Sequence, residues 1–203
     1  MDSYLNSILF AIPACLLAYL IGSISTAIIT CKIMGIEDPR KTGSNNPGAT
    51  NVLRHGGKKA AIITLIGDAL KGLIPVLVAI QLQADILTVS LVGLFALLGH
   101  VFPVYYGFKG GKGVATYYGV ILAMNWMVGL IALAIWLSTA AALKISSLAA
   151  LISIFSVPII LWHFSQSVEL AGVVALMSVL VFWRHKKNIQ ALLQGTEARI
   201  SKR

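Results

Sequence analysis

VATYYGVILAMNWMVGLIALAIWLSTAAA, residues 114–142, contains no charged side chain. A single helix needs about 20 apolar residues to cross the hydrocarbon core of a bilayer, and this stretch is clearly longer. Asn125 and Trp126 interrupt it near the middle. The stretch is therefore either one very long helix or two short helices that meet at this pair, and the choice decides the topology of the whole chain.

The composition of the chain is that of a membrane protein. Of its 203 residues, 58% are apolar and 11% are charged, and the mean hydropathy is +0.86. A soluble domain has roughly 25% charged and 45–50% apolar residues, so the surface here must also be apolar and must face lipid. This excludes an ordinary cytosolic enzyme, a disordered chain and a secreted disulfide scaffold. Cys15 and Cys31 have no CxxC spacing and are predicted to be small buried apolar residues.

Several further apolar runs are long enough to be membrane spans. They cover residues 4–30, 60–81, 86–106, 145–163 and 168–183. A cleaved signal peptide would carry basic residues before its apolar run, and none precedes the first run here. Neither an internal repeat nor a linker separates the runs, so we expect one integral membrane domain over residues 1–203.

The distribution of positive charge decides between six and seven spans. The net charge is +9, from 16 Lys and Arg against 7 Asp and Glu. If 114–125 and 127–142 are separate spans, every basic residue except Lys71 falls on one side, which the positive-inside rule strongly favours. These residues are Lys32, Arg40, Lys41, Arg54, Lys58, Lys59, Lys109, Lys112, Lys144, Arg184, Lys186, Lys187, Arg199, Lys202 and Arg203.

We therefore predict an all-α polytopic membrane protein with seven transmembrane helices, the N-terminus outside and the C-terminus cytoplasmic. The run 114–125 is too short to cross fully, and we expect a half-helix packed against protein.

The first inner loop, TGSNNPGATNVLR at 42–54, is dense in hydrogen-bond donors. Gly and Asn permit positive φ, so that successive N–H groups can converge on one point. The polar side chains are Ser44, Asn46, Thr50 and Asn51, and Arg54 adds a planar cation suited to phosphate. The loop could be a solvated turn that only links two spans, but its density of donors favours an anion site.

The second inner loop gives a stronger signal. In GFKGGKGVAT, residues 107–116, four glycines surround Lys109 and Lys112, and a predicted helix follows at once. Such a loop can wrap a tetrahedral anion, while the helix N-terminus supplies free N–H groups and a positive dipole end. It does not match a Walker loop, because Tyr106 occupies the first Gly position and Gly113 the last. The alternative is a flexible basic turn held by lipid headgroups.

Other polar residues lie near the inner ends of spans. Ser147 faces the same pocket or caps a helix, and His185 and Asn188 share one helical face. The tail that carries them could instead be a basic helix that only anchors the last span. Asp68 and Lys71 are predicted to form an internal, structural ion pair.

Three motifs together resemble the signatures of a known family. They are GSNNPGATNxxR at 43–54, GHxFP with FKGGKGVAT at 99–116, and HxxNI with GTE at 185–197. Their order and spacing are similar to those of the bacterial acyl-phosphate:glycerol-3-phosphate acyltransferases of the PlsY type, over essentially the whole chain. Asn45 stands where that family commonly has Gly, and Ala191 where Arg is frequent.

The resemblance implies a multi-pass enzyme of the bacterial inner membrane whose active site faces the cytoplasm. Such enzymes move a fatty acyl group from acyl phosphate to the 1-hydroxyl of glycerol 3-phosphate, giving lysophosphatidic acid and phosphate for phospholipid synthesis. We expect a monomer with no cofactor, no metal and no nucleic-acid partner, and no stimulation by ATP, acyl-coenzyme A or divalent metal.

The resemblance also implies roles for individual residues. The predicted catalytic residues are Lys112, Arg54, His185 and Asn188. The predicted substrate-binding residues are Ser44, Asn46, Thr50, Asn51, Lys109, Gly110, Gly111, Gly113, Thr116 and Ser147. We expect the acyl-phosphate head at 110–113 and the glycerol phosphate at Ser44, Arg54 and Lys109. The leaving phosphate or His185 would take the hydroxyl proton.

Two other functions remain possible on the sequence. A transporter of organic phosphate could use the same loops, but it would need sites near the bilayer midplane and usually inverted repeats. A lipid-binding scaffold would use the lysines of the tail only to grip anionic headgroups.

Overall fold

The computed structural model of the protein describes residues 2–200, and Lys202 and Arg203, two of the predicted inner-tail residues, lie outside this part. Its helices are α1 Asp2–Gly22, α2 Thr26–Ile33, α3 Ala49–Gln81, α4 Ile86–Val101, α5 Val114–Met124, α6 Trp126–Leu143, α7 Ser146–Ser165, α8 Val168–Arg184 and α9 Lys186–Leu193. A short 3₁₀ turn covers Val104–Tyr106, and the described part contains no strand. The all-helical prediction is confirmed.

Most of these helices have the length and apolarity of membrane spans. Five segments within the described residues satisfy both criteria, and the first of them, Leu9–Ile33, joins α1 and α2 across a break. The pair α8 and α9 would form a sixth span bent by 62°, and α5 is apolar but shorter. Large apolar side chains such as Leu9 and Phe155 are exposed, as expected for a surface that faces lipid.

The long uncharged stretch is divided at Asn125, as predicted. Asn125 has an extended backbone, and its side chain accepts a hydrogen bond from Val128 N, so it caps the start of α6. The short helix α5 packs tightly on α3. A Cβ atom on Gly119 would lie 2.0 Å from the Ala69 carbonyl oxygen, so only glycine permits this approach. The expectation of a short helix packed against protein is therefore confirmed.

Helix α3 begins earlier than the sequence predicted. It starts at Ala49 rather than near residue 60, and Gly57 introduces a kink with φ of 80° and ψ of 177°. The predicted span 60–81 corresponds to the helical segment after this kink, whereas the turns before Gly57 were missed because Arg54, His55 and the adjacent glycines broke the apolar run by which spans were recognised. As a result, Arg54 projects from a helical turn instead of a loop.

A buried ion pair within α3 lies beside the break between α1 and α2. Lys71 Nζ lies 2.9 Å from Asp68 Oδ1, and both side chains are at most 6% exposed. The same Nζ donates to the Ile24 carbonyl oxygen at 2.8 Å. The predicted internal pair is thus confirmed, and it also satisfies a carbonyl freed where the helix is interrupted. Cys15 and Cys31 are free and buried.

Candidate functional site

One cavity of about 550 Å³ joins a polar end to an apolar wall. Polar side chains from four separate segments line one part of it: Ser44, Asn46, Thr50, Asn51, Arg54, Lys58, Lys112, Ser146, Ser147, His185, Asn188 and Glu197. Apolar side chains from the helices line the rest: Leu53, Ile62, Leu65, Tyr118, Leu133, Trp136, Leu137 and Ala150. A space of this kind suits a ligand with a charged head and an apolar chain.

Hydrogen bonds connect the polar residues across three segments. Lys112 Nζ donates to Asn188 Oδ1 at 2.6 Å, and Asn188 Nδ2 donates to Glu197 Oε1 at 2.7 Å. Ser147 Oγ donates to the same carboxylate oxygen at 2.6 Å. The carboxylate therefore fixes both an amide and a hydroxyl, and the amide in turn orients the Lys112 ammonium.

The electrostatic surroundings of Lys112 favour an anion beside it. Burial lowers the pKa of its ammonium from the usual value, the Glu197 carboxylate raises this pKa, and the neighbouring guanidinium of Arg54 lowers it. Cations thus outnumber carboxylates at this end of the cavity. A bound phosphate would supply the missing negative charge and several acceptor oxygens.

His185 lies between α8 and α9 and is 2% exposed. Its Nδ1 is 2.8 Å from the Val181 carbonyl oxygen. Because a carbonyl oxygen only accepts hydrogen bonds, Nδ1 carries a proton, which leaves Nε2 of the neutral ring as the proton acceptor. His185 can therefore act as a base, or as a donor after protonation.

Asn51 shapes the first loop from a buried position. Its Nδ2 donates to the carbonyl oxygens of Pro39 and Thr42 at 2.8 and 3.0 Å, and its Oδ1 accepts from Ser44 N at 3.1 Å. The side chain is thus fully engaged in holding the loop. Ser44 and Arg54 are exposed and remain available to a ligand.

The second loop is clamped from two sides. Gly111 N donates to the His100 carbonyl oxygen at 3.2 Å. Arg184 donates through Nε to Gly111 O and through Nη2 to Gly110 O, at 3.2 and 2.9 Å. A Cβ on Gly111 would lie 2.2 Å from His100 Nε2. Close packing therefore requires this glycine, and its N–H is already used within the protein.

Beneath the loop, His100 lies beside the Asp68 carboxylate of the buried ion pair. Its Nδ1 lies 3.7 Å from Asp68 Oδ1, and both residues line the cavity. Thr116 is fully buried and donates from Oγ1 to the Asp68 carbonyl oxygen at 2.9 Å, which fixes the start of α5 on α3. Thr116 has this structural contact and does not line the cavity.

Most of the residues predicted for the site meet in the cavity. Those that line it are Ser44, Asn46, Thr50, Asn51, Arg54, Lys112, Gly113, Ser147, His185 and Asn188. Lys109 and Gly110 instead line a separate hollow, and Gly111 and Thr116 line neither space. The sequence analysis did not assign a role to Glu197, although it ends the third motif and is an acidic residue in a basic tail.

The chain is similar to known proteins over most of its length. The profile of a family described as glycerol-3-phosphate acyltransferase matches residues 12–195. The glycerol-3-phosphate acyltransferase of Thioalkalivibrio sulfidiphilus (strain HL-EbGR7) is 53% identical over 183 residues, which cover 90% of each chain. That of Neisseria meningitidis serogroup C / serotype 2a (strain ATCC 700532 / DSM 15464 / FAM18) is 48% identical and covers 96% of this chain and 100% of its own.

Two crystal structures share the fold. Both are of PlsY (YgiH), an integral membrane glycerol 3-phosphate acyltransferase, at 37% sequence identity. The glycerol 3-phosphate form has a TM-score of 0.90 and covers 94% of this chain and 96% of its own. The lysophosphatidic acid form has a TM-score of 0.88 and covers 93% and 94%.

Proposed function

Because the chain belongs to the glycerol-3-phosphate acyltransferase family, we propose that it transfers a fatty acyl group from acyl phosphate to the 1-hydroxyl of glycerol 3-phosphate. The products are lysophosphatidic acid and inorganic phosphate, and the reaction serves phospholipid synthesis. The observation that carries the proposal is the single cavity in which a cationic end continues into an apolar wall. Both substrates carry phosphate, and only the donor carries a long apolar chain.

The polar end would hold both phosphates. Lys112 and Arg54 supply the charge, and Ser44, Ser147 and Asn188 supply neutral hydrogen-bonding groups around them. The acyl chain would lie along the wall formed by α3, α6 and α7, where Leu65, Trp136 and Ala150 are among the lining residues. This placement keeps the chain in lipid-like surroundings and the carbonyl carbon at the boundary between the two parts.

The reaction requires charge stabilisation more than a protein nucleophile. The 1-hydroxyl oxygen attacks the carbonyl carbon of acyl phosphate, and a new ester C–O bond forms. The bond from that carbon to the bridging phosphate oxygen breaks, and phosphate leaves with the electron pair. Lys112 and Arg54 stabilise the developing negative charge. The hydroxyl proton goes to the leaving phosphate or to Nε2 of His185.

We also propose the complete topology. The joined α1 and α2, then α3, α4, α5, α6, α7 and α8, make seven passes in one domain over residues 1–203, with the N-terminus outside and the site facing the cytoplasm of a bacterium. The support is that the polar cavity residues come from loops and helix ends at residues 44–58, 112–113, 146–147 and 185–197, and that the basic residues concentrate in the same segments. The protein would work as a monomer, without cofactor or nucleic acid.

The decisive experiment uses the purified full-length protein in lipid nanodiscs with acyl phosphate and labelled glycerol 3-phosphate. Formation of labelled lysophosphatidic acid, without ATP, acyl-coenzyme A or divalent metal, is the expected result. Strong use of acyl-coenzyme A would contradict the assigned donor. Uptake of glycerol 3-phosphate into sealed vesicles without acylation would instead support the transporter. Cysteine labelling of positions 44 and 112 from the periplasmic side would contradict the orientation.

A further inference from the structure

A second hollow lies beside the second loop, apart from the cavity. Its volume is about 330 Å³, and it is lined by Arg40, Asn45, Phe108, Lys109, Gly110 and Arg184. Gly110 and Gly113 belong to one loop but line different spaces, so the loop forms a partition between the hollow and the cavity. We call this second space the basic hollow.

Three cations from distant parts of the chain converge on the basic hollow. Arg40 precedes the first motif, Lys109 lies in the second, and Arg184 ends α8. Among the described residues no carboxylate lines this space. Asp38 pairs with Arg40 from outside the lining, whereas Lys109 and Arg184 have no carboxylate partner among the described residues, so the hollow carries excess positive charge that attracts an anion.

Each cation keeps donor capacity for a ligand. Arg40 uses Nε and Nη2 to pair with Asp38, whose Oδ2 lies 2.6 Å from Nη2, and so retains Nη1. Arg184 uses Nε and Nη2 on the glycine carbonyls and also retains Nη1. Lys109 is exposed and forms no ion pair with any residue in the described 9–200 part.

The other lining residues also suit a small polar anion. Asn45 has a positive φ of 55° and adds a neutral amide, while its N–H is bonded to Thr42 O. Within the part of the chain that the structure describes, no aliphatic side chain lines the hollow, and Phe108 is its one aromatic residue. The hollow therefore lacks a wall along which an acyl chain could lie, and its chemistry fits a compact multivalent anion.

We propose that the basic hollow is a second binding site, outside the catalytic cavity, for a phosphate monoester dianion. The guanidinium groups of Arg40 and Arg184 and the ammonium of Lys109 can donate to the oxygen atoms of such a dianion. Only the glycine-rich loop separates this dianion from the substrate phosphates proposed for the cavity. The dianion would be either a soluble phosphate, such as glycerol 3-phosphate or released inorganic phosphate, or the headgroup of a monoester lipid such as phosphatidate. A role of this site in supplying glycerol 3-phosphate or removing inorganic phosphate rests on the proposed function. The binding of a phosphate dianion does not depend on that function.

The test is calorimetric titration of inorganic phosphate into full-length protein in neutral-lipid nanodiscs. We expect phosphate to bind in the catalytic cavity and, separately, at one Lys109-dependent site in the basic hollow. Lys109→Ala and Lys109→Glu should weaken one of the two sites about tenfold or more, because a charge-assisted contact is lost. Lys112→Ala should weaken the other. Lys59→Ala removes another exposed lysine, which lines neither space, and serves as the matched control.

A second arm distinguishes the two sources of the phosphate. If nanodiscs that contain phosphatidate abolish the Lys109-dependent site and the neutral ones retain it, the site takes the lipid headgroup. If the site persists in both, it takes soluble phosphate. Absence of a Lys109-dependent site in neutral nanodiscs, seen as identical isotherms for Lys109→Ala and Lys59→Ala, would overturn the proposal. Lysophosphatidate formation is read separately, so failure of the proposed reaction would remain distinguishable.

Discussion

Lys109 and Lys112 lie three residues apart in one motif, yet the fold places them in two different spaces. Lys112 is partly buried, bonds to Asn188 and lies in a cavity with an apolar wall. Lys109 is exposed and lies in the basic hollow, which lacks such a wall. Only the first lies beside an apolar wall, so identical residue types in one glycine-rich loop acquire different surroundings.

The partition between the two spaces is rigid because it is held from both sides. His100 accepts from Gly111 N and packs its ring on the same glycine, while Arg184 binds the carbonyls of Gly110 and Gly111. The buried pair of Asp68 and Lys71 lies behind His100. The separation of the two basic spaces thus rests on contacts from His100 in α4 and from Arg184 at the end of α8.

The largest expected effect concerns the cationic end of the cavity. Lys112→Ala and Arg54→Ala should each lower kcat/KM at least about 100-fold, because each removes charge from the departing phosphate. Lys109→Ala should lower it far less. Lysophosphatidate formation measures the rates, and yield in the membrane fraction controls for insertion. Rates equal to wild type in both cavity variants would contradict the site assignment.

A second prediction concerns the support of the partition. Asp68→Asn leaves Lys71 buried without its partner and should destabilise the protein by about 3 kcal/mol or more. Thermal unfolding in detergent measures this loss. The double variant Asp68→Asn with Lys71→Met removes the uncompensated charge and should recover part of it. Equal stability of Asp68→Asn and wild type would show that the pair is dispensable.

Replacing Glu197 should have a smaller effect on activity and should also change its dependence on pH. Lys112 binds phosphate only while charged, and this form is lost as pH rises through its pKa. Burial lowers that pKa and Glu197 raises it, so Glu197→Gln should move the alkaline fall in activity to lower pH. We also expect about tenfold lower kcat/KM, since a charged acceptor for Ser147 and Asn188 is lost. An unchanged alkaline limb would contradict the electrostatic coupling.

The smallest effect tests the apolar wall that distinguishes the cavity from the basic hollow. Ala150 is 2% exposed and lines this wall, so Ala150→Phe should obstruct a long acyl chain. The KM for a long-chain acyl phosphate should rise several-fold, while that for a short-chain donor and for glycerol 3-phosphate stays near wild type. An equal rise for both donor lengths would indicate general distortion. Leu143→Phe, at an exposed position of α6, is the control.

Local features of the structure followed from the sequence because their causes are local. The length of each apolar run predicted a helix, Asn125 predicted the break before α6, and the spacing of Asp68 and Lys71 predicted their contact. The early start of α3 was not predictable in this way. Its first turns carry polar side chains and two adjacent glycines, and hydropathy identifies only the part of a helix that faces lipid or protein.

The sequence by itself determined an all-helical membrane chain, the residue types of three motifs, and therefore the family. Tertiary structure alone decided which side of the glycine loop each lysine occupies, and brought Glu197 to Ser147 and Asn188, 50 residues away in one case and 9 in the other. The physical reason is that the path of a glycine-rich loop is nearly free in isolation. Contacts from His100 and Arg184, far away along the chain, select one path and so separate the two sites.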